Sequence, residues 1–231
     1  MTYIERYLNG ETKEVYKEIT DLGQEAFYAD NFTQIDFVLQ ETFKRVAFNL
    51  NIIYQELKNI GYQFTSDIKY DWQQPLLPPD PNTEILLSEL KSKIRERGHI
   101  PLSLEYFYKI VGSCNFCWDW GVSPVILWEG ADPIDIPPIK DLLEMVYDDY
   151  DCEDILISGD YLQKDNVSGS CYNIELTATP AVDSLLHGWD IPFIEYLRLT
   201  FKNCGFTMAD QCNYESLTSF CNTVKPKLKE I

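Results

Sequence analysis

Over the first sixty positions, apolar residues recur at three- and four-residue spacing, which predicts helices. Val15, Ile19, Leu22 and Ala26 place one over positions 12–27. From about Thr33, a longer helix follows from Ile35, Val38, Leu39, Phe43, Val46, Leu50, Ile53, Tyr54 and Leu57, which form one buried stripe. Gly61 supplies its left-handed stop. The pair reads as an antiparallel hairpin whose apolar face needs a covering surface, either the rest of the chain or another subunit. Pro75, Pro78, Pro79 and Pro81 then deny regular structure to positions 62–82, which read as a connector. Next comes a helix capped by Asn82 or Thr83, with Ile85, Leu86, Leu90 and Ile94 inward and Gly98 after it. Pro101 and Ser103 open a short helix over positions 104–111, closed by Gly112.

Beyond Gly112 the period becomes strand-like. Positions 116–120, 125–129, 154–159 and 172–177 are short runs rich in β-branched and aromatic residues between turn formers, suited to an antiparallel sheet. Positions 139–147 read as a helix after Pro137 and Pro138, Pro192 starts another that ends at Gly205, and a last one covers 214–224. The pattern predicts an α+β fold with a central, mainly antiparallel sheet flanked by helices and preceded by an N-terminal helical hairpin. It divides the chain into a helical extension at 1–61, a connector at 62–82 and an α+β domain at 83–231.

Charge changes the picture. Nineteen basic against thirty-seven acidic residues leave −18, which repels phosphate and anionic lipid and argues against direct binding of nucleic acid or membrane. Between Glu129 and Glu195, sixteen carboxylates face only Lys140 and Lys164, a local −14. With 14% aromatics the chain is nonetheless composed like a globular protein. Its N-terminal residues carry no apolar leader and no run reaches bilayer length, so a cytoplasmic location is expected. The seven cysteines are accordingly expected as free thiols.

Catalytic chemistry finds little to work with. Cys114 and Cys117 form a lone C-x-x-C without a second pair at zinc-finger spacing, so neither metal nor cofactor is expected. His99 and His187 stand outside catalytic motifs. Trp118, Trp120, Trp128 and Trp189 among plentiful acids permit a glycosidase-like cleft, yet aromatics at alternating strand positions ordinarily belong to a core. The expectation is a binding protein, not an enzyme.

The run Ile100-Pro101-Leu102-Ser103-Leu104-Glu105-Tyr106-Phe107-Tyr108-Lys109-Ile110-Val111-Gly112-Ser113, followed by Asn115-Phe116, resembles the signature segment of the SUKH superfamily. Tyr172-Asn173-Ile174-Glu175-Leu176 is similar to the family's late strand, and Phe193-Ile194-Glu195-Tyr196-Leu197-Arg198 with Cys204-Gly205-Phe206 to its closing helix and G-F ending. The resemblance spans about Thr83 to Phe206. The chain departs from it in having Val111-Gly112-Ser113 where many members have Asn-Gly, and in its N-terminal helices, which place it on a side branch. The resemblance implies an immunity protein that blocks a toxin, often a nuclease. A scaffold or regulatory interaction module of the same fold is the alternative. The charge suits the first role, because a basic toxin surface can be occupied by an acidic one. Glu144, Asp148, Asp149, Asp151, Glu153 and Asp154 are the candidate partner-binding residues.

Overall fold

A computed structural model describes residues 1–64, 74–118, 128–148, 154–159 and 171–231. The chain opens with α1 (Tyr3–Leu8), α2 (Thr12–Asp21) and, after a 3-10 turn, α3 (Ala29–Asn59). α1 starts in a capping box between Thr2 and Glu5, which satisfies two otherwise orphan amides. α2 is shorter than its apolar pattern predicts, because Gly23 at φ 54° tightens the chain into the 3-10 turn Gly23–Phe27.

α3 buries the predicted stripe from Ile35 to Leu57, with Tyr54 only partly covered. Its end is a Schellman closure: the Tyr62 amide donates to Leu57 O and the Gly61 amide to Lys58 O, with Gly61 at φ 77°. The covering surface left open by the sequence is the rest of this chain. Phe43 packs 6.5 Å from both Tyr106 and Phe107, and the Tyr106 hydroxyl donates to the Asp36 carboxylate. Buried Asn49, a polar residue in mid-stripe, pairs twice with the Lys229 backbone at 2.8 Å. Apolar burial is continuous from Tyr7 to Ile231.

The region read as connector contributes β1 (Leu76–Leu77). Prolines flank this strand without entering it, so the amide and carbonyl groups of the two leucines remain available to β2 (Ser113–Asn115). β3 (Asp135–Ile136) completes a three-stranded antiparallel sheet in the order β1-β2-β3. α4 (Thr83–Ile94) follows β1 with Asn82 at its N-cap, as expected, and the Asn82 amide donates to the Asp80 carboxylate at 2.8 Å. Its inner face is Thr83, Leu87, Leu90 and Ile94; Ile85, expected inward, is 67% exposed and Leu86 only half buried. The true stripe begins at the first helical residue, which places Ile85 on the opposite side.

α5 (Leu102–Tyr106) runs into a π-helical turn (Phe107–Val111) closed by the Gly112 amide on Phe107 O. Phe107 is fully buried and Ile110 only half buried. The Phe107 ring contacts Phe43, Tyr108 and Phe193, so it joins helices.

α6 (Ile139–Asp148) leads toward a second, four-stranded antiparallel sheet of β4 (Asp154–Gly159), β5 (Cys171–Glu175), β6 (Leu185–His187) and β7 (Ile191–Pro192), in that order. β4 and β5 match the predicted strands closely and pair Ile155 with Ile174. The run at 116–120 is displaced: its strand is β2, Phe116 and Trp118 are core, and 119–120 lie outside the described residues. Of the run at 125–129, only Trp128 and Glu129 are described, and they belong to a turn. α7 (Phe193–Lys202) starts at Pro192, and α8 (Glu215–Val224) packs on α3.

The protein is thus α+β with antiparallel pairing and an N-terminal helical region, its strands divided between two sheets. Among the described residues, no helix is long and apolar enough to cross a membrane. Among the described residues no disulfide joins two cysteines; Cys152 lies outside them.

Candidate functional site

α6 is amphipathic in the sense required of a surface helix. Ile139, Leu142, Leu143 and Val146 are buried at helical spacing against α4 and β4, while Lys140 and Glu144 point outward one turn apart. Pro138 accepts from the amides of Asp141 and Leu142 and starts the helix. Asp141 in the first turn complements the macrodipole. Position 148 ends the helix, and its last turn holds no basic residue, so it lacks the usual contribution of about 0.3–1 kcal/mol from a cation there.

Of the sequence-predicted binding residues, Glu144 is exposed on the outer side of α6 and position 148 lies one turn further along the same helix. Asp149, Asp151 and Glu153 lie outside the described residues. Asp154 opens β4 with its side chain partly buried. Its backbone carbonyl accepts from Arg97 Nη2 at 3.0 Å, and its carboxylate stands 3.7 Å from His187 Nε2. His187 Nδ1 is in turn 3.8 Å from Asp190. Glu144 and Asp154 therefore stand on the described elements either side of positions 149–153.

Two members of the acidic region turn inward. Asp132 is fully buried and accepts from the Thr207 and Tyr172 hydroxyls. Asp183 is 8% exposed; it accepts from Ser103 Oγ at 2.7 Å, the Ser184 amide at 3.0 Å and the Ile194 amide at 3.1 Å. Burial pushes its carboxyl up to about 6, against the pull of these three donors. Both hold the fold together and subtract from the charge that a partner would meet.

The alternative chemistries land in structural positions. Cys114 and Cys117 are buried, the latter with its amide on Asn115 Oδ1 at 2.9 Å. Among the described residues, no group of three His, Cys, Asp or Glu side chains could hold a metal. The His99 backbone bridges to Thr177 in both directions. Trp118 and Trp128 are core rings, Trp128 packing on Tyr62, Phe206 and Phe220 and donating to Ser216 Oγ at 2.9 Å; Trp120 is outside the described residues.

Sequence reading missed a cavity of about 390 Å³ between the proline segment, the π-helical turn and the start of α6. Leu76-Leu77 between prolines was the available signal. It was hidden because a two-residue strand has no periodicity to detect. No family model, curated protein or solved structure matches this chain.

Proposed function

We propose that the protein is a non-enzymatic binding protein of the SUKH type that neutralises a basic toxin, a nuclease among the candidates, through the acidic surface running from Glu144 to Asp154. The observation that supports this reading best is the end of α6. An acidic residue occupies its last turn, five more residues containing three acids follow before Asp154, and no lysine or arginine intervenes. Local helix energetics favour a base there, so the charge runs against the stability of its own element. A basic groove built to hold phosphate is the natural counterpart of such a surface.

The immobilised protein should retain from its native cytosol a basic protein that elutes as ionic strength rises. When released, that protein should show a toxic activity, such as nucleic-acid cleavage, that re-addition of this chain suppresses. Recovery of a partner whose activity is unaffected by the chain would favour a scaffold role instead.

A further inference from the structure

Bases are scarce in this chain, nineteen against thirty-seven acids, yet five of them converge on one open pocket of about 320 Å³. It lies where the start of α2, the last turn of α7 and the C-terminal tail meet, with Phe201 and Leu228 as apolar wall. The backbone around it is tied down. Arg45 Nη1 donates to Glu230 O at 2.9 Å, Asn49 exchanges two bonds with the Lys229 backbone, and Arg198 Nε donates to Ile231 O at 2.9 Å. Arg198 Nη2 also reaches Thr12 O at 3.3 Å, so one guanidinium joins the tail to the first turn of α2.

Arg198 is spent on this frame and on Glu195, 2.5 Å away, which makes it a positioning residue. Lys13, Lys202, Lys225 and Lys229 remain, all of them exposed, and Glu230 is the one carboxylate side chain among the described lining residues. Lys202 has only a loose, solvent-exposed partner in Asp210 at 3.9 Å, and Lys229 Nζ lies over the Phe48 ring. Among the described residues, Lys13 and Lys225 enter no ion pair. Lys13 also stands in the first turn of α2, where the macrodipole disfavours a cation, and that helix starts without a side-chain cap on its amides. Repulsion among the ammonium groups and the positive end of α2 are both relieved by one kind of ligand, an anion of several charges.

The net charge of −18 does not forbid this. Screening acts over about 8 Å at physiological ionic strength, so a ligand seated among the lysines meets their field, while a long polyanion would run out onto acidic surface. The volume stands at the small end of ligand sites and admits a short chain of phosphates.

We propose that this pocket binds a small, soluble molecule carrying a di- or triphosphate group, held by Lys13, Lys202, Lys225 and Lys229. The site is separate from the acidic surface and needs no protein partner.

Sodium tripolyphosphate, titrated calorimetrically against the full chain at constant ionic strength, should bind saturably at one site and shift the amide signals of Lys13, Lys202 and Lys229 in isotope-labelled protein. Inorganic phosphate, with fewer charges, should bind at least roughly tenfold more weakly. K13Q/K225Q should weaken tripolyphosphate binding by roughly tenfold or more and melt like the parent, because both side chains are exposed. K58Q/K140Q removes the same charge from two exposed lysines outside the pocket and should bind like the parent. The proposal is overturned if tripolyphosphate does not bind saturably, if phosphate binds as tightly, or if K13Q/K225Q binds like the parent. It is equally overturned if K58Q/K140Q weakens binding as much as K13Q/K225Q, which would make the effect one of net charge and not of this pocket.

Discussion

Replacing Phe107 with alanine should cost about 3–5 kcal/mol, the usual result of emptying a fully buried phenylalanine site. For a chain of this length that is a fall in Tm on the order of 10 °C. The size of the effect follows from position. The ring stands at 6.5 Å from Phe43 on α3, 5.8 Å from Tyr108 and 5.9 Å from Phe193 on α7, each close to edge-on. Such pairs contribute beyond their buried area. Alanine would leave a void where three elements distant in sequence meet, and none of them can collapse into it without parting from the others. Calorimetry on the purified variant checks this; an unchanged melting curve would place the ring outside the core.

Asp183→Ala should cost about 2–4 kcal/mol near neutral pH, because Ser103 Oγ and the amides of Ser184 and Ile194 lose one shared acceptor in a buried site. The amide of Ile194 belongs to the first turn of α7, so the variant loosens the junction between α5 and α7. The cost should also depend on pH in a defined direction. Burial raises the carboxyl from its ordinary 3.8 to about 6 in the folded protein, so the folded state holds this proton more tightly than the unfolded chain. Its contribution is therefore complete below the unfolded value and is lost as pH rises through about 6, by roughly 3 kcal/mol. Denaturant titrations of parent and variant should show a larger difference near pH 4 than near pH 7. A difference that grew with pH would contradict the burial account.

What the sequence made legible, and what it hid, has a physical pattern. α3 announced itself because a one-sided helix of 31 residues repeats its period many times. β4 and β5 were visible because Ile155, Ile157, Tyr172 and Ile174 alternate inward on paired strands. β1, β3 and β7 have two residues each and contain no full period. They exist only through their neighbours, so nothing local could signal them. The misplacing of Ile85 has the same root. A helix stripe of four inward residues can be shifted by one or two positions without losing its period, and only the docked π-helical turn and α6 decide which face is inner.

The candidate site was legible as charge but not as geometry. Asp132 and Asp183 counted equally with their neighbours in the local excess, yet one binds Thr207 and Tyr172 inside the core and the other caps α7. Composition cannot separate a carboxylate that faces water from one consumed by buried donors. Glu144 and Asp154 stand on consecutive described elements, α6 and β4, an order the sequence already implied.

The most direct test of the acidic surface is the association rate of the captured basic partner with a variant carrying Asp148, Asp149, Asp151 and Asp154 replaced by Asn, followed across ionic strength. Exposed charges act mainly on encounter, so the variant should associate roughly tenfold or more slowly at low salt and show a flatter salt dependence, with its fold intact by circular dichroism. An association rate and salt slope equal to the parent's would contradict the account and leave the acidic segment a contributor to solubility alone.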